Sequence, residues 1–331
     1  MKAKADNSIK VFGANVLLTH LKAFSAEIEG VRNSKDIEAV HRMRVASRRL
    51  YSTLPLFSSA LPQHKSQRWL DSITRVSQEL GAVRDNDVQI DFLRNQVLTL
   101  TEARYKPGIN RLILRLSQSH EKLQRKVFNA LDKIEEEEMV EEMTKALEPW
   151  QERADQVYLF TPAIYTLAFE AIVSRLDPFL ALEEFIFKPE QIKEIHEMRM
   201  CAKWLRYTCE TFAPLYSNGL KIPLQALRGL QEALGDLHDC DVWIQYLPGF
   251  MREEEKRTLT YFGNARSYHT LAPGLAYILA QKQQQRLTLY QTFILSWQQW
   301  QDENVWGGLR QSIQMPFSQQ IEKPAATEEP A

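Results

Sequence analysis

Cysteine is scarce in this chain, and the three that occur, Cys201, Cys209 and Cys240, leave one over and match no metal-binding spacing. A disulfide framework is thereby excluded, and reduced thiols in a cytoplasmic protein fit best. No apolar run is long enough to span a bilayer. The start, Met1-Lys2-Ala3-Lys4-Ala5-Asp6, lacks the apolar core of a signal peptide. Excess charge of one sign is missing too: the formal net charge is −1 and the isoelectric point about 6.7. Wholesale nonspecific binding of nucleic acid is therefore disfavoured, while a local basic site offset by acids elsewhere is allowed. The acids are segregated, with Glu135-Glu136-Glu137-Glu138, Glu141 and Glu142 near the middle. There is no Gly-rich phosphate loop and no nucleophile elbow.

What is present is helical periodicity. The 331 residues, 44% hydrophobic, can build two domains or one large duplicated one. Strand-like alternation is scarce, and prolines and glycines fall between periodic runs. The fold class is all-α, with helices predicted over 9–29, 36–57, 65–80, 86–104, 109–147, 161–176, 189–214, 222–235, 240–256 and 273–302. Residues 1–8 read as an N-terminal extension. Residues 303–331 read as a tail, disordered from Pro316 onward on its Gln, Glu, Pro and Ala content.

One helix occurs twice. Val40-His41-Arg42-Met43-Arg44-Val45-Ala46-Ser47-Arg48-Arg49-Leu50 is matched by Ile195-His196-Glu197-Met198-Arg199-Met200-Cys201-Ala202-Lys203-Trp204-Leu205-Arg206. At about 100° per residue, His41, Arg44, Arg48 and Tyr51 share a stripe roughly 80° wide. Met43, Ala46, Leu50, Leu54 and Phe57 form a core-facing stripe opposite. The second copy sets His196, Arg199, Lys203 and Arg206 against Met198, Cys201, Leu205, Cys209 and Phe212. A solvated basic face explains one such row. Two in register, each headed by histidine, point to an anion-binding element.

A second motif repeats as well. Leu80-Gly81-Ala82-Val83-Arg84-Asp85-Asn86-Asp87-Val88 matches Leu234-Gly235-Asp236-Leu237-His238-Asp239-Cys240-Asp241-Val242. Its glycines lie 154 residues apart and the histidines of the first motif 155, so two motifs report one tandem repeat. The expected units are 9–131 and 161–302, joined by an acidic helix and linker over 132–160 with a break at Pro149-Trp150. Each unit has the helix count of an up-and-down bundle. The glycines suit helix C-termini, and Asp85 or Asp87, with Asp239 or Asp241, suit N-caps. Alternatively, one aspartate per unit reaches the His/Arg face and holds those side chains in place.

Arginine forks and lysine charges suit phosphate oxygens, and protonated histidine adds a donor. His41, Arg44 and Arg48, with His196, Arg199, Lys203 and Arg206, would line a groove for a polyanion. Arg42 and Arg49 flank the first row, and Arg84 and His238 occupy equivalent places in the second motif. Arg111, Arg115, Lys122 and Lys126 share a further face, with Lys282 and Arg286 as a thinner counterpart. For these last residues a solvated face is the simpler explanation.

The paired His-x-x-Arg helices and the paired Leu-Gly-x-x-[Arg/His]-Asp-x-Asp-Val motifs closely resemble the CHAD family, the conserved histidine α-helical domain, over about residues 9–302. The resemblance implies two four-helix repeats related by a pseudo-two-fold, with long helices around a central basic cavity or groove. It also implies binding of inorganic polyphosphate, often at intracellular polyphosphate granules, with no established catalysis. The family's anion-binding positions fall on His41, Arg44, Arg48 and Arg49, and on His196, Arg199, Lys203 and Arg206. Trp204 stands where a second basic residue is usual, and Tyr51 where the second copy has Arg206, so the halves should contribute unequally. Family members are often fused to a β-barrel triphosphatase. No Glu-x-Glu-x-Lys signature occurs here, so a polyphosphate-metabolising enzyme would be a separate chain.

Two rivals differ in kind. A metal-dependent phosphohydrolase could use His238-Asp239, with His41, His196, Asp87 and Asp241 as further ligands. The repeat tells against it, because Arg84 is the partner of His238 and arginine does not ligate metals. Neither a metal nor another cofactor is therefore expected. A nucleic-acid binder would need exposed aromatics beside its cations, and Tyr51 and Trp204 suit packing equally well.

Overall fold

The computed structural model describes residues 6–33 and 37–321, and no strand occurs among them. The chain is all-α. Its helices are α1 (Ser8–Ser25), α2 (Ile28–Asn33), α3 (Ile37–Thr53), α4 (Gln63–Thr99), α5 (Lys106–Glu136) and α6 (Met139–Gln151). They continue as α7 (Pro162–Ala181), α8 (Glu183–Ile186), α9 (Ile192–Phe212), α10 (Lys221–Phe262), α11 (Arg266–Asp302) and α12 (Val305–Ile321).

The two motif helices, α3 and α9, pack against each other, α3 on α4 and α9 on α10. Their apolar stripes enter one large core. Phe57 and Phe212, which follow the motif in each copy, have ring centroids 6.0 Å apart, with Phe12 of α1 at 6.0 Å from each. Met43, Leu50, Met198 and Leu205 are fully buried in the same cluster. A smaller core, containing Leu93, Leu112, Leu247 and Ile278, joins α4, α5, α10 and α11. Two glycines set that junction. A β-carbon on Gly108 would stand 2.1 Å from the Leu271 carbonyl oxygen, and one on Gly274 2.0 Å from that of Tyr105. Any side chain at either place would force α5 and α11 apart.

Several expected boundaries are wrong. The breaks predicted at Gly81 and Gly235 do not occur, because α4 and α10 run through them unbroken. A glycine inside a helix costs only about 1 kcal/mol, and the buried Leu80, Val83, Leu234 and Leu237 hold the turns on either side. The break expected at Pro149-Trp150 does not occur, because Pro149 lies inside α6, and α7 runs past its expected end at 176 through Pro178; Pro248 and Pro273 are likewise inside helices. The last three are each flanked by buried apolar residues, such as Leu247 and Phe250 around Pro248, whose packing outweighs the lost hydrogen bond.

The acidic helix is not continuous. Glu138 adopts φ 46°, in the left-handed region, and turns α5 into α6. Its acids staple neighbours: Arg32 of α2 pairs with Asp132 at 2.7 Å and Glu135 at 3.0 Å, and Glu142 pairs with Arg68 of α4. The expected disordered tail is also corrected over 305–321, which is α12. Val305, Trp306, Leu309 and Ile313 are buried, and the Trp306 ring lies 4.9 Å from that of Phe179. The remainder of that expectation, 322–331, and residues 1–5 of the N-terminal extension lie outside the described residues.

Candidate functional site

Where α3 and α9 lie side by side, their cationic rows converge. Arg48 of α3 and Arg199, Lys203 and Arg206 of α9 line one cavity of about 360 Å³. Tyr207 of α9 and Arg228, Gln231 and Glu232 of α10 complete the wall. The cost of this crowding is visible at Lys203. Burial, followed by the charges of Arg48, Arg199 and Arg44, pushes its ammonium down to about 7. Burial likewise lowers Arg44 and Arg199 from the usual arginine value, with Arg48 as a further cause in each. The chain supplies negative charge to these groups only in part.

The second motif supplies that part. Arg44 Nη2 donates to Asp85 Oδ1 at 3.1 Å, while the buried Arg44 Nε has no partner. Asp239, the counterpart of Asp85, is raised by burial, with the Arg199 charge opposing. The N-cap role is ruled out for both, since α4 and α10 continue through them. The second aspartate of each motif turns the other way. Asp87 Oδ1 meets His120 Nε2 of α5 at 2.8 Å, and Asp241 accepts from Arg286 of α11. Each motif thus gives one carboxylate beside the cationic rows and one to the following helix.

The histidines differ between copies. His196 Nδ1 and His238 Nδ1 lie 3.1 Å apart, with ring centroids at 4.4 Å. One ring must accept the hydrogen bond and is therefore neutral. Burial, then Arg199 and His196, pushes His238 down to about 4. Burial and the charges of Arg199 and Lys203 also lower His196. In the first copy the equivalent of His238 is Arg84, and the buried His41 Nδ1 has no partner. No group of three or more His, Cys, Asp or Glu among the described residues is placed to hold a metal ion.

The sequence profile of the CHAD domain matches residues 15–248. The chain belongs to the CHAD family. Polyphosphate binding is a known property of that family. Among solved structures, the CHAD domain from the plant Ricinus communis aligns at a TM-score of 0.56 and 22% identity, over 93% of each chain. PptA from Streptomyces chartreusis aligns at a TM-score of 0.59 and 18% identity, over 87% of this chain and 99% of its own. At these identities the likeness establishes the fold. No curated protein matches the chain. No helix among the described residues is long and apolar enough to cross a membrane.

Within this CHAD domain, several expected site residues lie elsewhere. Arg42 is gripped by Glu27 through two hydrogen bonds of 2.7 and 2.8 Å, on the side of α3 that faces the α1–α2 corner. Arg49 lines a neighbouring cavity with His20 rather than the one that holds Arg48. Arg115 is held by the fully buried Glu254, at 2.7 Å from Oε1, as part of the α5–α10 contact. Lys122 and Lys126 are exposed on α5. Arg286 is occupied by Asp241 and by the Pro189 carbonyl at 2.9 Å. Tyr207 and Arg228 were missed because the repeat gives no signal for them. Their counterparts, Ser52 and Thr74, are neither aromatic nor charged.

Proposed function

We propose that this chain binds linear inorganic polyphosphate at the cationic rows of α3 and α9 and does not hydrolyse it. The observation that supports this most strongly is the shared cavity, in which Arg48 from one motif faces Arg199, Lys203 and Arg206 from the other. Buried like charges this close are unfavourable alone, and a chain of phosphates bridging both helices relieves them. Arg44, His41 and His196 extend the rows, and Asp85 and Asp239 hold arginines in place when the site is empty. The pseudo-two-fold duplication, with units 9–131 and 161–302, gives a path for the ligand from one row to the next.

Binding at polyphosphate granules, with any polyphosphate-metabolising enzyme on a separate chain, is the biological setting that fits. Nucleic acid is disfavoured because Tyr51 and Trp204 turn their rings on each other, at 5.0 Å, in place of bases. Hydrolysis through His238 and Asp239 is disfavoured because His238 is paired with His196, beside Arg199. The test is a competition titration of polyphosphate against single- and double-stranded nucleic acid, with orthophosphate release followed with and without Mg²⁺ or Mn²⁺. Preferential polyphosphate binding without release is expected. Equal affinity for all polyanions, or release that depends on His238 and Asp239, would overturn the reading.

A further inference from the structure

The cavity that holds Arg49 adjoins the basic one. It measures about 560 Å³, within the roughly 300–1,000 Å³ usual for small-molecule sites. Phe12, Val16, Leu159 and Pro214 give it apolar walls, Asn15 and Thr19 add polar groups from α1, and Glu210, which accepts from Arg206 at 3.1 Å, supplies the one carboxylate of its lining. Tyr207 and Arg228 line both cavities, and the consecutive residues Arg48 and Arg49 line one each. Two features distinguish this space from a packing gap. Arg49 has no carboxylate partner among the described residues. His20 is pushed down to about 4 by burial and then by Arg49, so a neutral imidazole stands beside that cation.

A linear inorganic chain would leave such a space unfilled. Apolar walls, an aromatic residue on the boundary and neutral hydrogen-bonding groups suit a flat heterocycle attached to the phosphates. We propose that the two cavities together take a nucleoside polyphosphate, with its phosphates among Arg48, Arg199, Lys203 and Arg206 and its nucleoside between Phe12, Asn15 and Leu159. Tyr207, 8% exposed, gives the base a small aromatic contact, Asn15 and His20 face its polar edge, and Arg49 meets the phosphates nearest the ribose, beside Arg228, which Glu210 approaches at 3.7 Å. This inference rests on the phosphate reading of the basic cavity, and the experiment separates the two.

The full chain is titrated calorimetrically with tripolyphosphate and with ATP, at low salt and without divalent metal. ATP should bind about tenfold or more tightly than tripolyphosphate, from burial of the base against the apolar walls. Asn15→Trp fills the cavity from a half-exposed position on α1, and Thr19→Trp does so from an exposed one. Either variant, with unchanged circular dichroism, should bring ATP down to the affinity of tripolyphosphate and leave tripolyphosphate itself unaffected. ATP binding no tighter than tripolyphosphate, or ATP affinity unaltered in both folded variants, would overturn the nucleoside site. Tripolyphosphate failing to bind wild type would instead overturn the phosphate reading beneath it.

Discussion

His196 and His238 share a hydrogen bond between their Nδ1 atoms at 3.1 Å, one residue from each repeated motif of the second half. The contact ties α9 to α10 beside Arg199 and keeps at least one ring uncharged while the site is empty. The row headed by His196 is therefore less charged than its composition implies, and a bound anion would change its protonation.

Proton uptake on binding is the first consequence. Lys203 faces Arg48, Arg199 and Arg44 and sits at about 7, and His196, facing Arg199 and Lys203 with Asp241 opposing, is also lowered. Bound phosphate favours the charged form of each, so affinity rises as pH falls through about 7 and rises further as His196 charges. Calorimetry in buffers of different ionisation enthalpy should report net proton uptake near neutrality. Binding that is independent of buffer, or that releases protons, would contradict the charge crowding inferred here.

Lys203→Met should stabilise the empty protein while weakening its binding. The folded value of Lys203 lies below the unfolded one, so the unfolded chain takes the proton more readily. Stability is then lost as pH falls from the unfolded value of about 10.4. That loss is complete below the folded value of about 7. The variant should melt a few degrees higher at pH 7 and show little difference at alkaline pH, where Lys203 is neutral in both states. Polyphosphate affinity should drop about tenfold. Thermal melts across pH, paired with binding titrations, check both halves.

Glu254→Gln should have the opposite profile. Glu254 is fully buried and bonded by Arg111 at 3.2 Å, Arg115 at 2.7 Å and Arg257 at 2.6 Å. Burial alone would raise its carboxyl, but the hydrogen bonds from Arg115 and Arg257 outweigh it and hold it below the usual glutamate range. Its contribution is present above the unfolded value of about 4.3 and is lost as pH falls through the depressed folded value. Loss of the charge should cost about 3 kcal/mol, near the low end for a broken buried pair because the arginines are partly solvated. Urea unfolding measures the cost, and polyphosphate affinity should stay within about twofold, since this cluster belongs to the α5–α10 contact.

The all-α class and the two cationic rows were legible because helical spacing is local and the repeat supplies its own control. Met43, Leu50, Met198 and Leu205 entered the core as their spacing predicts. Long-range pairing was not legible. Arg42 and Arg48 look alike in sequence, yet Glu27 takes one and the cavity keeps the other. Arg115 and Arg286 were lost to Glu254 and Asp241, which only the packing of α5 and α10 on α11 brings within reach. The breaks expected at Gly81 and Gly235 failed for a related reason. Burial of neighbouring leucines overrode a weak local preference.

The most direct test of the central claim is the affinity for linear polyphosphate, measured against salt concentration, in wild type and in a variant with Arg44, Arg48, Arg199 and Lys203 all replaced by alanine. Wild type should lose affinity steeply with salt, because each neutralised phosphate releases condensed counterions. The variant should keep its helical content and lose binding. Unchanged affinity and salt slope in the folded variant would contradict the assignment of the site to these two helices.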